Sequence, residues 1–231
     1  MEYKFKVLLI CDDFYHPGQT VINGLKPLED NGIHLHVIVD GAVVSSEQLH
    51  NYDTVIISKM DERTAEDKTP WLNKEIQQSL MNYVRHGGGL LMLHSGIVEG
   101  ADTIEFHRFI GCRFVHHPKP TSLMVQPLKN HAITKEVDVF TEEDEQYYIE
   151  LLRDDVDVLF SSYAPAQGDI SKVKEDGWNN SVENICCSGY VLTEGDGRIC
   201  MLAPGHFLKV YENPEYQKTL CNAMLWLCKA E

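Results

Sequence analysis

His86-Gly87-Gly88-Gly89-Leu90-Leu91-Met92-Leu93-His94-Ser95-Gly96 is the stretch from which the fold of this chain is read. Just upstream, Trp71 to His86 carries Leu72, Ile76, Leu80 and Val84 at spacings of four, the apolar face of a helix. The glycine triplet stops that helix. Leu90 to Leu93, apolar without interruption, then read as a strand buried on both sides. A phosphate-cradling loop follows a strand and opens a helix, whereas this triplet precedes its strand. It is therefore a helix stop and no dinucleotide fingerprint, and no NAD or ATP is expected.

Working outward, Phe5 to Cys11 is a second continuous apolar run bounded by charge. Gln19 to Asn31 is helical and closed by Gly32, and His34 to Val39 and Thr54 to Ser58 read as strands. Strands alternating with helices at this spacing specify a layered α/β domain, a mainly parallel sheet with helices on both faces. Downstream, Asp102 to Ile110 reads as a short helix. Thr121 to Leu128 and Asp155 to Ser162 read as strands, and Gln167 to Asn180 as an exposed polar loop. Asn184 to Leu192 and Arg198 to Leu202 flank Thr193-Glu194-Gly195-Asp196-Gly197, a hairpin signal. The last helix has Asn213 as N-cap, Pro214 at its first position, and Tyr216, Leu220, Met224 and Leu227 as its buried face. No linker or composition shift divides residues 1–231, so one domain is expected.

The net charge of −15 repels phosphate backbones and anionic lipid heads, which argues against nucleic-acid and membrane partners. The apolar run Val7 to Cys11 is too short for a signal segment or a membrane span, so a cytoplasmic location is expected. The seven cysteines include no C-x-x-C pair and read as core thiols in a reducing compartment. Adjacent Cys186 and Cys187 are ordinary strand residues in that reading, with soft-metal ligation as the alternative. Oligomeric state is open, a homo-oligomer included.

The eleven histidines are the chemical lead. His16, His94 and His206 each follow a strand end, where open α/β sheets place their ligands. Ser95 lacks the G-x-S-x-G frame of a nucleophile elbow, with Leu93 and Ile97 in the outer positions. His34, His36, His50, His86, His107 and His117 are left as structural or surface residues.

Taken together, these residues resemble the ThuA-like (trehalose utilisation) family. Gly87 to Gly96 is similar to its GGGLxxLHSx signature, and Phe106, Gly111, Phe114 and His116 to its F…G…FxH segment. His131-Ala132-Ile133-Thr134 resembles HPIT with alanine for proline, and Asp144-Glu145-Gln146-Tyr147 resembles DExY. Gly197-Arg198 through Pro204-Gly205-His206 and the AxxW helix over Asn222 to Leu227 complete the order. The resemblance implies a flavodoxin-like, class I glutamine amidotransferase-like fold. His94 stands where that wider fold keeps its catalytic cysteine, and Leu208 where the acid after the triad histidine belongs, so amidotransfer is not expected.

The resemblance also implies a carbohydrate ligand: trehalose, a related disaccharide or a 3-keto-sugar. Acid/base chemistry then falls to His94 and His206 with Glu145 as orienting carboxylate or base. His16, Tyr147 and His116 are the substrate-binding candidates. No cofactor is required by this reading. The alternative is a divalent metal such as zinc on His16, His94, Glu145 and His206, as in a metal-dependent hydrolase, although no H-E-x-x-H spacing supports it. A non-catalytic sugar-binding module on the same fold is the third reading.

Overall fold

A computed structural model describes residues 4–164 and 185–230. Its strands are β1 (Phe5–Cys11), β2 (Ile33–Ile38), β3 (Thr54–Ser58), β4 (Gly89–Leu93), β5 (Cys112–His116), β6 (Thr121–Pro127), β7 (Phe140–Asp144), β8 (Tyr148–Leu151), β9 (Asp157–Tyr163), β10 (Ile185–Glu194) and β11 (Gly197–Leu202). Nine of them form one sheet in the order β2-β1-β3-β4-β11-β10-β9-β6-β7, and β5 pairs with β8 apart from it. The first five in that order are mutually parallel. From β11 onward every pairing is antiparallel. The architecture is the flavodoxin-like layered α/β fold, with the parallel half read from the sequence extended by an antiparallel half.

The parallel strands divide their side chains between two cores, as a pleated strand must. Val7, Leu9, Leu91 and Leu93 face α1 (Gly18–Leu25), α5 (Leu208–Glu212) and α6 (Pro214–Leu227). Leu8, Ile10, Leu90 and Met92 face α2 (Ser46–Leu49), α3 (Lys74–Arg85) and α4 (Ile104–Ile110). Leu72, Ile76, Leu80 and Val84 are all buried, as their spacing required. Asn73 caps α3 through the N–H groups of Glu75 and Ile76, so the helix starts three residues later than Trp71. Asn213 caps α6 in the same manner, with Pro214 at its first position. The glycine triplet is demanded by space as well as by the turn: a Cβ on Gly89 would lie 2.6 Å from the Thr54 hydroxyl.

Two differences from these expectations emerge. The helix expected over Gln19 to Asn31 is α-helical only to Leu25 and continues as a 3-10 turn over Lys26–Asn31, because Pro27 supplies no N–H. Strands β5, β7 and β8 and helix α5 emerge where none was read. The loop assigned to Gln167–Asn180 lies outside the described residues, as does Asn184 at the start of the expected β10.

Candidate active site

Four chain segments reach one place from strand ends. Strands β1, β4, β11 and β7 run in the same direction, so their carboxyl ends lie on one edge of the sheet. Two of the turns hold a non-glycine residue in the left-handed region: Asp12 after β1 (φ 81°) and His94 after β4 (φ 46°). Such conformations cost of order 1–3 kcal/mol each and persist only where surrounding structure enforces them. At β4 the enforcement is visible. A Cβ on Gly96 would come within 2.2 Å of the Ile57 carbonyl, so the turn packs its backbone against β3 and presents His94 inward.

His94 is 1% exposed, and its Nδ1 donates to the Ala203 carbonyl at 2.8 Å. That bond fixes the tautomer and leaves Nε2 as the acceptor. His16 is fixed in a similar way: its Nδ1 lies 2.8 and 3.0 Å from the two oxygens of buried Asp13. The Asp13 carboxylate also accepts the backbone N–H groups of Tyr15, His16 and Met60. Burial pushes the Asp13 pKa up, but His16 and these N–H groups outweigh it and hold the carboxyl below its usual range. Burial lowers the His16 pKa, against the pull of Asp13, so the imidazole is neutral near pH 7. His206 is placed by Asp144, whose oxygens accept the Gly205 N–H at 2.8 Å and the His206 N–H at 3.1 Å. The next residue, Glu145, then faces the imidazoles.

The three rings of His16, His94 and His206 stand edge-on to one another with centroids 5.0, 5.2 and 5.5 Å apart. His94 Nε2 and His206 Nδ1 are 3.4 Å apart. Glu145 Oε2 lies 3.5 Å from the first and 3.2 Å from the second. Yet this oxygen, fully buried, makes no aligned hydrogen bond. Its pKa is pushed up by burial and down, by more, by His206 and His94, so the group is an anion. The same carboxylate raises the pKa of His206. With His16 included, four ligand-type atoms lie within 4.8 Å of one another, and this is the metal-competent group among the described residues.

A cleft of about 460 Å³ opens above this floor, lined also by Tyr15, Met60, Val98, Phe114, His117 and Tyr147. Tyr147 is buried, donates its hydroxyl to His94 Nε2 at 3.1 Å, and stacks between the rings of His94 and His117. Burial, and then the Glu145 charge, raise its pKa, so it remains a donor.

His94, His206, Glu145, His16 and Tyr147 are thus brought together, and His116 is not. The register of β5 against β8 slips between Phe114 and His116, a bulge that adds one residue on β5. Phe114 faces the cleft, but His116 stacks on Tyr148 (centroids 4.5 Å) beside a separate hollow. His117 takes the place instead, with its Nδ1 3.5 Å from Glu145 Oε1. The FxH resemblance that nominated His116 carries no information about a bulge, so it pointed one residue short. Cys186 lines that second hollow, and burial pushes its thiol up to about 12. Ser95 is fully buried beneath the turn.

Residues 7–227 match the family model for ThuA, described as trehalose utilisation. The chain belongs to the ThuA family. No curated protein matches it. Among solved structures, a ThuA-like protein from Parabacteroides merdae ATCC 43184 superposes with a TM-score of 0.73 at 15% identity, over 98% of this chain and 91% of that one. A ThuA-like protein from Bacteroides uniformis ATCC 8492 gives 0.68 at 19% identity, over 98% and 92%. A protein from Salmonella typhimurium LT2 described as cytoplasmic gives 0.67 at 15%, over 96% and 99%. At these identities the likeness is one of fold. No helix among the described residues is long and apolar enough to cross a membrane.

Proposed function

We propose that this ThuA-family chain is a cytoplasmic carbohydrate-active enzyme whose His–Glu cluster holds a divalent metal such as zinc. Its chemistry would be acid/base transfer beside the carbonyl of a 3-keto form of trehalose or a related disaccharide. One observation carries the metal reading. Ligands in a tetrahedron ~2.0–2.1 Å from an ion stand about 3.3–3.4 Å from each other. His94 Nε2, His206 Nδ1 and Glu145 Oε2 have mutual separations of 3.2, 3.4 and 3.5 Å. Imidazoles tied from behind by a carboxylate and a carbonyl, as His16 and His94 are, match the outer contacts of metal-bound histidines.

A metal there would polarise a sugar oxygen or carbonyl. The remaining work falls to residues of this chain. His117, exposed at the cleft with its Nδ1 held by the Pro118 carbonyl at 2.8 Å and lying 3.5 Å from Glu145 Oε1, is the imidazole placed to pass a proton between cleft and solvent. With a metal on His94 Nε2, the Tyr147 hydroxyl that otherwise donates to that nitrogen would be released as a donor to a substrate oxygen. The wholly metal-free reading keeps one support of its own: Glu145 and His206 form a carboxylate–imidazole pair at 3.2 Å, the spacing an acid/base dyad needs. The cytoplasmic assignment rests on the Salmonella neighbour and on cysteines that are all free.

The test is elemental analysis of the purified chain together with turnover of 3-keto-trehalose followed by mass spectrometry. The metal reading expects about one zinc-type ion per chain and activity lost to chelator and restored by metal. Full activity in a metal-stripped sample would return the chemistry to the dyad. Sugar binding with no product under either condition would reduce the chain to a binding module.

A further inference from the structure

Phe14 and Tyr15 are large, apolar and out in water, with 53% and 59% of their surfaces exposed. They are not a loose loop. The Phe14 N–H donates to Glu62 Oε2 at 3.2 Å, and the Tyr15 N–H to Asp13 Oδ1 at 2.9 Å. Asp13 and His16 exchange backbone hydrogen bonds across the turn. The two rings pack edge to face with centroids 4.9 Å apart. A hydrogen-bonded turn that holds two adjacent aromatic rings in solvent forgoes the stabilisation their burial would bring.

Their position gives the exposure a use. Tyr15 lines the same cleft as His206 and Glu145, and its ring centroid is 6.5 Å from that of His16. The Asp13 carboxylate that fixes His16 also fixes the Tyr15 backbone, so platform and reacting centre are held in one register. The Lys68 ammonium lies 3.6 Å over one face of Phe14 and 5.6 Å from the Tyr15 centroid, so Phe14 braces the platform and Tyr15 is the ring that lines the cleft. An aromatic face beside an ammonium suits a sugar ring, whose C–H face is apolar and whose edge is hydroxylated.

We infer that Phe14 and Tyr15 form an outer subsite that stacks the second ring of a two-ring sugar while the first ring lies at the His–Glu cluster. This rests on the carbohydrate reading above and adds to it the residues that select length. Aromatic stacking contributes enough to favour a two-ring ligand about tenfold over its one-ring counterpart.

The test is calorimetric titration of the full chain with four probes: trehalose, 3-keto-trehalose, glucose and 3-keto-glucose. The wild type is expected to bind each two-ring probe about tenfold more tightly than its one-ring partner. In the Phe14→Ala/Tyr15→Ala double variant that ratio falls towards one, and Tyr15→Phe, which keeps the ring, preserves it. Metal content and thermal melting of the variants show whether the turn is still formed. A double variant with matching metal content and an undiminished ratio overturns the subsite, as does a wild-type ratio of one. Both leave the carbohydrate reading standing, whereas a wild type that binds none of the four probes removes both.

Discussion

The two halves of the sheet differ in how they are written and in what they contribute. The parallel half, β2-β1-β3-β4-β11, has helices on both faces, and its central strands are uninterrupted apolar runs. The antiparallel half includes β7, Phe-Thr-Glu-Glu-Asp, in which only Phe140 and Asp144 are buried. Three imidazoles come from the ends of the first half, on turns pinned by packed backbone. The carboxylate, the stacking tyrosine and the cleft-facing His117 come from the second half and the β5–β8 pair. A site assembled this way has one wall on apolar parallel strands and one on half-solvated strands, and Asp144 joins them through the Gly205 and His206 N–H groups.

The largest effect expected is on the parallel-strand wall. His94→Ala should abolish metal retention and lower turnover at least ~10³-fold, while circular dichroism stays unchanged. Glu145→Gln, on the other wall, should do nearly the same. If only one of the two substitutions matters, ligation across the two walls is wrong. Next is the Asp144 junction itself. Asp144→Ala strands two backbone N–H groups in a buried place, at about 1–3 kcal/mol each, and urea unfolding should register roughly 2–5 kcal/mol.

The third effect belongs to the helical layer over the parallel half. His107 is 1% exposed with neither ring nitrogen bonded, and burial, followed by Arg113, lowers its pKa from 6.5 to about 4. The unfolded chain therefore binds the proton more readily than the folded one. Stability is full above about pH 6.5 and declines by about 3 kcal/mol as the pH falls towards 4. His107→Leu should flatten that limb of the stability–pH curve, and an unaltered limb would assign the loss elsewhere. The smallest effect sharpens the comparison most. His117→Ala should lower turnover about 10–100-fold, and His116→Ala should leave it unchanged. The reverse outcome would deny the bulge in β5.

The division between halves also explains what the sequence discloses. A strand buried on both faces must be apolar throughout, so β1, β3 and β4 are legible without coordinates, as are the capped helices α3 and α6. The same end-of-strand logic finds His16, His94 and His206. Half-solvated strands rich in acids carry no such constraint, which hid β7. A β-bulge leaves no trace in composition, which moved the cleft histidine from 116 to 117. Glu145 and Tyr147 were reached through their motif rather than through periodicity.

Asp12 and His94 hold a backbone region that glycine enters without cost. At His94 that relief is outweighed, because His94→Gly would open a buried cavity and leave the Ala203 carbonyl unpaired. At Asp12 an asparagine is the compatible replacement, since its side-chain oxygen can still accept the Gly18 N–H. A screen scored only for heat resistance should therefore accept Asp12→Asn and reject changes at His94, and so mark the floor of the candidate site without any assay of turnover.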